Sequence, residues 1–285
     1  MPITIREIAA NGFTFRCREA GTAGEPVILL HGFPETSHMW LPLLDALDEA
    51  GYRALAPDQR GYSPGARPEG ADAYAYPNLV ADVMALADAA GFDTFHLIGH
   101  DHGAGVGWTA VYTHPDRIRS WTALSVPHIA AFGEAIRNDA DQQQRSQYIG
   151  FFQQPGAAEA TFSENDFAAL RGIWSASSPE EKEEYLSVFR EPGALTAALN
   201  WYRGSLRTEG RDATAEVGAV STPTLMIWGN RDQAIGRRAN EEAAKFMSGP
   251  YRFVELDAGH GLIQEAPGRV IAEILQHLRA NPIGR

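Results

Sequence analysis

The sequence predicts an α/β architecture: a mostly parallel central sheet flanked by helices, with a helical insertion on the C-terminal edge of the sheet. Three observations predict it. Short apolar runs alternate with helical stretches, the βαβ rhythm of a parallel sheet with helices on both faces. The run "PVILLHG" (26–32) is continuously apolar between Pro and Gly, as a strand buried on both faces should be. The rhythm stops at about Pro127 and resumes at "TPTLMIWG" (222–229), which leaves a long helical interval.

Taken in order, "ITIREI" and "FTFRCREA" alternate with period two around "ANG" and read as a hairpin. After the buried strand, "MWLPLLDALDEAG" reads as a helix and "YRALAPD" as a strand. "NLVADVMALADAAG" and "FDTFHLIG" repeat the unit, and "GVGWTAVYTHP" with "IRSWTALSVP" repeats it again. Residues 128–216 hold helical patterns such as "SPEEKEEYLSVFR" and "GALTAALNWYRGSL" without a strand-like run. A helix near 237–247, the strand "YRFVELD" and a last helix from about 266 complete the chain. The economical division is a core of residues 1–127 and 217–285 interrupted by a helical cap, 128–216. Such an insertion sits after a strand, on the sheet edge where open α/β folds keep their sites.

Composition narrows the function. The 285 residues with 44% hydrophobic content suffice for a sizeable core. A net charge of −12, with acidic residues scattered, argues against nucleic acid or an anionic membrane as partner. The single cysteine, Cys17, excludes an internal disulfide and a cysteine-based zinc site. "MPITIREIAANG" is charged and alternating, unlike a signal peptide, and no apolar run approaches the ~20 residues of a membrane span. The expectation is a cytoplasmic protein, monomer or homodimer, with neither metal nor organic cofactor.

The chemistry concentrates at "LIGHDHGAG" (97–105), where an apolar strand meets a tight turn and a helix begins at once. This strand–turn–helix layout is a nucleophile elbow, and it presents Asp101 in place of the usual hydroxyl. A serine attacking saturated carbon would form an ether, a dead end. A carboxylate forms an alkyl ester whose carbonyl belongs to the protein, and water can cleave it. Asp101 therefore points to displacement at sp³ carbon followed by hydrolysis. The second step needs an activated water and an oxyanion hole. "LDAGHGLI" places His260 after the last strand, and "IWGNRDQAIG" places Asp232 just past the preceding one, where it can hold the imidazole tautomer. The order nucleophile, acid, histidine is that of the α/β-hydrolase fold. "HGFP" (31–34) follows the third strand, so the amides of Phe33 and His102 are the candidate oxyanion donors.

These residues resemble the α/β-hydrolase superfamily and, within it, the epoxide hydrolases. The resemblance is carried by "HGFPE" (31–35), "PDQRGY" (57–62), "GHDHG" (99–103) and the loops of Asp232 and His260. In the insertion, "YIGFFQQPGAAEA" (148–160) and "ALNWYRG" (198–204) resemble the family's cap segments. The resemblance implies that Tyr148 and Tyr202 reach down to the epoxide oxygen, and that small apolar epoxides and water are the reactants. A phenol of pKa ~10 is a neutral donor at neutral pH, suited to an opening alkoxide. The position after the nucleophile is often Trp in these enzymes, and here it is His102.

Two other readings remain open. A haloalkane or haloacid dehalogenase shares the Asp–His–Asp core but has little need for paired phenols. A small-molecule receptor could inherit the fold, although it has no use for nucleophile, base and acid together. Among the other polar candidates, His31 is expected to brace the oxyanion loop, and His100 to pack beside the elbow. Asp58 and Arg60 read as a structural ion pair, and Glu35 as either a contact of the hydrolytic water or a solvated loop residue. Tyr185 reads as packing, the acidic run 180–184 as a solvated helix face. Trp174, Phe132, Phe151 and Phe152 are candidates for an apolar pocket lining.

Overall fold

The computed structural model describes residues 2–205 and 217–284. β1 (Thr4–Ala10) and β2 (Phe13–Ala20) form the expected antiparallel hairpin. It turns at Asn11 and Gly12, which both have positive φ, as the tightest hairpin turns require. β3 (Pro26–Leu30), α1 (Leu41–Glu49), β4 (Arg53–Pro57), α2 (Tyr76–Ala90), β5 (Phe95–His100), α3 (His102–Thr113) and β6 (Ile118–Leu124) follow. After the insertion come β7 (Thr224–Gly229), a helix at Arg237–Glu242, β8 (Tyr251–Leu256), a short turn of helix at Leu262–Glu265 and a last helix, Pro267–Ala280.

The sheet has eight strands in the order β1-β2-β4-β3-β5-β6-β7-β8. β2 pairs antiparallel with β4, and every pair from β4 to β8 is parallel. The central strands β3, β5 and β7 are buried along almost their whole length, which is why they read as unbroken apolar runs rather than alternating ones. Because neighbours from β4 to β8 run the same way, their C-terminal ends share one edge. Asp101, Asp232 and His260 all follow strand ends there.

Between β6 and β7 the described residues form six helices: α4 (Ile129–Asn138), α5 (Ala140–Arg145), α6 (Gln147–Phe152), α7 (Ala157–Ile173), α8 (Pro179–Phe189) and α9 (Ala194–Ser205). Residues 206–216, which include the expected end of the interval, lie outside the described residues. α8 starts where its sequence says it should: the Ser178 hydroxyl accepts from the Glu181 amide at 3.1 Å, and Pro179 takes the first helical position. α7 is broken at Glu164–Phe167, where Asn165, Asp166 and Phe167 have positive φ. Nothing in the sequence signals that break.

Buried contacts tie these helices to the sheet. Arg16 and Arg18 on β2 both reach Glu184 on α8, the former at 2.9 Å. The Trp201 indole on α9 donates to the Arg60 carbonyl at 2.8 Å, and the Ser205 hydroxyl to the Tyr74 carbonyl at 2.7 Å. Asp58 and Arg60 do not pair with each other, contrary to expectation. Arg60 grips Asp82 with two bonds of 2.7 Å, and Asp58 takes the Ser37 amide at 2.8 Å with Arg18 nearby. The dipeptide spacing says nothing about which helix supplies the counter-charge.

The elbow depends on two close approaches. A Cβ on Gly103 would lie 2.2 Å from the Leu30 carbonyl oxygen, and one on Gly32 would lie 2.3 Å from the Asp101 Cβ. Both contacts are with groups that cannot swing aside. Gly103→Ala should therefore force α3 away from β3 and cost about 1–3 kcal/mol of stability, read as a lowered urea midpoint at unchanged slope. A midpoint equal to that of the parent would show that the elbow has slack.

Candidate active site

Asp101 sits between β5 and α3 with φ 51° and ψ −121°, a strained conformation for a residue with a side chain. Its backbone carbonyl receives the amides of Ala104 and Gly105 as α3 begins. The carboxylate is held from two sides. Oδ1 accepts from the Phe33 amide at 2.8 Å, and Oδ2 lies 3.3 Å from His260 Nε2. His102, the other expected oxyanion donor, is the first residue of α3. A carboxyl oxygen seated on one candidate donor is already where an ester carbonyl would need stabilising.

The imidazole is oriented by Asp232. His260 Nδ1 lies 2.7 Å from Asp232 Oδ2, while Oδ1 of the same carboxylate accepts from the amides of Ala234 and Ile235 at 2.7 and 3.0 Å. With one oxygen locked to backbone, the other has a single direction left. Nδ1 therefore carries the proton and Nε2 faces Asp101. The His260 carbonyl is itself fixed, accepting from the Ser125 hydroxyl at 2.7 Å and from His100 Nε2 at 3.0 Å.

Electrostatics follow from this geometry. Burial disfavours charge on His260, but the carboxylates of Asp232 and Asp101 on either side outweigh it and raise its pKa well above the usual histidine value. Burial likewise opposes ionisation of Asp101, but the hydrogen bond from His260, and then the imidazoles of His102, His260 and His100, outweigh it, so the carboxyl stays well below its usual range. The arrangement thus favours an ionised elbow carboxylate and a protonated imidazole beside it.

Tyr148 on α6 and Tyr202 on α9 stand 54 residues apart in sequence, yet their rings meet edge to face at 6.2 Å. Both line the cavity that contains Asp101, Phe33 and His260. Burial and then the negative charge of Asp101 raise the pKa of both phenols above 10, so both remain hydroxyl donors. The Gln153 side chain, from the segment after Tyr148, donates to the Tyr202 carbonyl at 3.1 Å and ties the two helices together.

That cavity has a volume of about 730 Å³ and is walled by Phe151, Phe152, Phe162 and Trp174. Phe132 lines instead a smaller cavity that Asp101 also borders. His31 is buried, its Nε2 accepting from the Gln59 amide at 3.0 Å, so it braces the oxyanion loop. Tyr185 is buried with its hydroxyl on Glu181. Glu35 is not a solvated loop residue: it is buried, lines the larger cavity and lies 3.2 Å from His100 Nδ1. Sequence reasoning missed Tyr76 and Ile235, which also wall the smaller cavity and lie in no motif. Among the described residues, no group of three or more His, Cys, Asp or Glu side chains could hold a metal ion, and no helix is long and apolar enough to cross a membrane.

The alpha/beta hydrolase fold family matches residues 25–267. The chain is 35% identical to epoxide hydrolase A of Mycobacterium tuberculosis, across 96% of this chain and 97% of that protein. It is 34% identical to the AB hydrolase superfamily protein YfhM of Bacillus subtilis, across 95% and 96% of the two chains. Among solved structures, epoxide hydrolase A from Mycobacterium thermoresistibile superposes with a TM-score of 0.83 at 32% identity, covering 99% of this chain and 100% of that one. The Bacillus megaterium epoxide hydrolase in complex with an inhibitor gives a TM-score of 0.88 at 26% identity, covering 96% and 100%.

Proposed function

The chain belongs to the α/β-hydrolase fold family and, within it, to the epoxide hydrolases, and from that premise we propose that it converts epoxides to vicinal diols through an ester on Asp101. The observation that carries the reading is the placement of one carboxylate between an amide, an imidazole and two phenols: Phe33, His260, Tyr148 and Tyr202.

The division of labour between the two oxygens follows from their partners. Oδ1 is engaged by the Phe33 amide, so Oδ2 attacks the ring carbon. The carbon–oxygen bond of the ring breaks as the new bond forms, and the departing oxygen takes a proton from Tyr148 or Tyr202. If the two phenols together lower this barrier by about 4 kcal/mol, they supply a factor of roughly 10³. Oδ1 is now the ester carbonyl, still on its donor.

Ester formation removes the negative charge of Asp101. His260 then faces one carboxylate instead of two, its affinity for the extra proton falls, that proton passes to the phenolate left by ring opening, and neutral Nε2 becomes available to draw a proton from water. The hydroxide adds to the ester carbonyl, and the tetrahedral oxyanion rests on the amides of Phe33 and His102. A donor of this kind is worth about 10²–10³ in rate. Collapse expels the alkoxide, which takes the proton held by His260 and leaves as diol, and the regenerated carboxyl then gives its own proton to the imidazole. Residues 129–205 act in this scheme as a cap that carries the phenols and shapes the cavity.

The test is a single turnover in ¹⁸O-labelled water with protein in excess over a terminal epoxide. The first diol should be unlabelled at the attacked carbon, because that oxygen comes from Asp101, with label found in the protein. Label appearing directly in the diol would mean that water attacks the ring and that no ester forms. A second measurement separates epoxide opening from halide displacement on the same triad. Replacing both Tyr148 and Tyr202 by Phe should lower epoxide turnover by about 10³, whereas an activity that displaces halide would be spared.

A further inference from the structure

One hydroxyl beside the elbow takes no part in ring opening or ester hydrolysis. Tyr76 is the first residue of α2 and only 9% exposed, and it lines a cavity together with Asp101, Tyr148 and Tyr202. Most of the remaining wall is apolar: Val126, Ile129, Phe132, Ile149 and Ile235. A phenylalanine would complete that surface equally well. The phenol leaves one polar atom to be explained.

The ring reaches this place because Gly105 makes room for it. A Cβ on Gly105 would lie 2.3 Å from the Tyr76 hydroxyl oxygen, so the tip of the phenol rests on the backbone of α3. Gly105 is three residues past His102 and therefore on the same face of the helix, in its first turn. Burial and then the charge of Asp101 raise the pKa of Tyr76 above its usual value, and the group stays a neutral hydroxyl. Tyr74, two residues earlier, donates to the Pro68 carbonyl at 2.8 Å, whereas the Tyr76 hydroxyl has no hydrogen-bond partner among the described residues. A buried hydroxyl that nothing satisfies is costly, and native proteins keep few of them.

The wall indicates what can satisfy it. Among its described residues the one carboxylate is Asp101, and the one basic side chain, His102, is kept neutral by burial. A carboxylate on the substrate would find no cation here and would face the charge of Asp101. A neutral oxygen meets neither difficulty, and a phenol can donate to it or, where it carries hydrogen, accept from it.

Resting on the epoxide-opening reading, we infer that Tyr76 is a specificity residue whose hydroxyl binds a neutral oxygen, a hydroxyl or an ether, carried by the substrate one carbon away from the ring. Epoxy alcohols and their ethers are then preferred to hydrocarbon epoxides of the same shape. The preference comes from the apolar surroundings. An alkyl group in that position covers the phenol and leaves it unpaired, and an oxygen pairs with it.

The experiment compares glycidol with 1,2-epoxybutane, which has a methyl group in place of the hydroxyl. Specificity constants for diol formation are measured for both compounds with the parent and with Tyr76→Phe. The ratio of glycidol to epoxybutane should fall about tenfold in the variant, the worth of one neutral hydrogen bond. Comparing ratios removes the intrinsic difference in reactivity between the two epoxides. Gly105→Ala, whose added methyl drives the same hydroxyl from its place, gives the same readout should the Phe variant fail to fold. A ratio unmoved in the folded variant, whether both constants hold or both fall together, overturns the inference, while diol from the parent leaves epoxide opening intact. No diol from either compound overturns both.

Discussion

Asp101→Ala should reduce diol formation by about four orders of magnitude or more, with no burst and no change in protein mass after exposure to epoxide. The size follows from the absence of a substitute. Glu35 lines the same cavity but is turned toward His100 at 3.2 Å, and Asp232 is spent on His260 and two amides. Neither can reach a ring carbon held by the phenols without abandoning its own partners. The folded state should survive the change, since the elbow is shaped by glycines and by the backbone bonds of α3. Circular dichroism and a urea transition check this. A variant that folds and still opens epoxide at more than a hundredth of the parent rate would remove Asp101 from the chemistry.

His260→Phe should stop the cycle halfway. The first step needs the carboxylate and the phenols; the second needs a base for water, and Nε2 of His260 lies 3.3 Å from Asp101. Intact-protein mass spectrometry should therefore show a gain equal to one molecule of epoxide, persisting long after the parent has finished many turnovers, and proteolysis should locate it on Asp101. The imidazole's proton affinity gives a further expectation of definite sign. Two carboxylates raise the pKa of His260 in the resting protein, so by linkage its protonation stabilises the fold fully below the usual histidine value of ~6.5, and that contribution is lost as pH rises through the higher native value. The parent should consequently lose stability on passing to alkaline pH more steeply than the Phe variant does. Full turnover by the Phe variant, or an unmodified protein mass, would give the hydrolytic step to another group.

The elbow, the hairpin and the order of acid and histidine were legible because each is written in contiguous residues. A strand ending at Gly99, a turn residue at 101 and a helix from 102 need no long-range information. His260 and Asp232 were found by their places after apolar runs, since parallel strands bring their C-terminal ends to one edge. What was not legible depends on pairing across the chain. Arg60 answers to Asp82 on α2, not to its neighbour Asp58, because the loop after β4 folds over that helix. Glu35 is buried against His100 only once β3 and β5 lie side by side. Tyr76 and Ile235 come to the site from distant parts of the chain, and no local pattern marks either. The break in α7 has no Gly or Pro to announce it.

Asp101, Asp232 and His260 leave the ends of β5, β7 and β8, whereas Tyr148 and Tyr202 both ride on helices inserted between β6 and β7. In the scheme above, the groups that receive the ring oxygen are thus encoded in one contiguous stretch, and the nucleophile, its base and the acid that orients the base in the rest. Substitutions within that stretch should alter which epoxides are accepted while leaving the hydrolytic step in place.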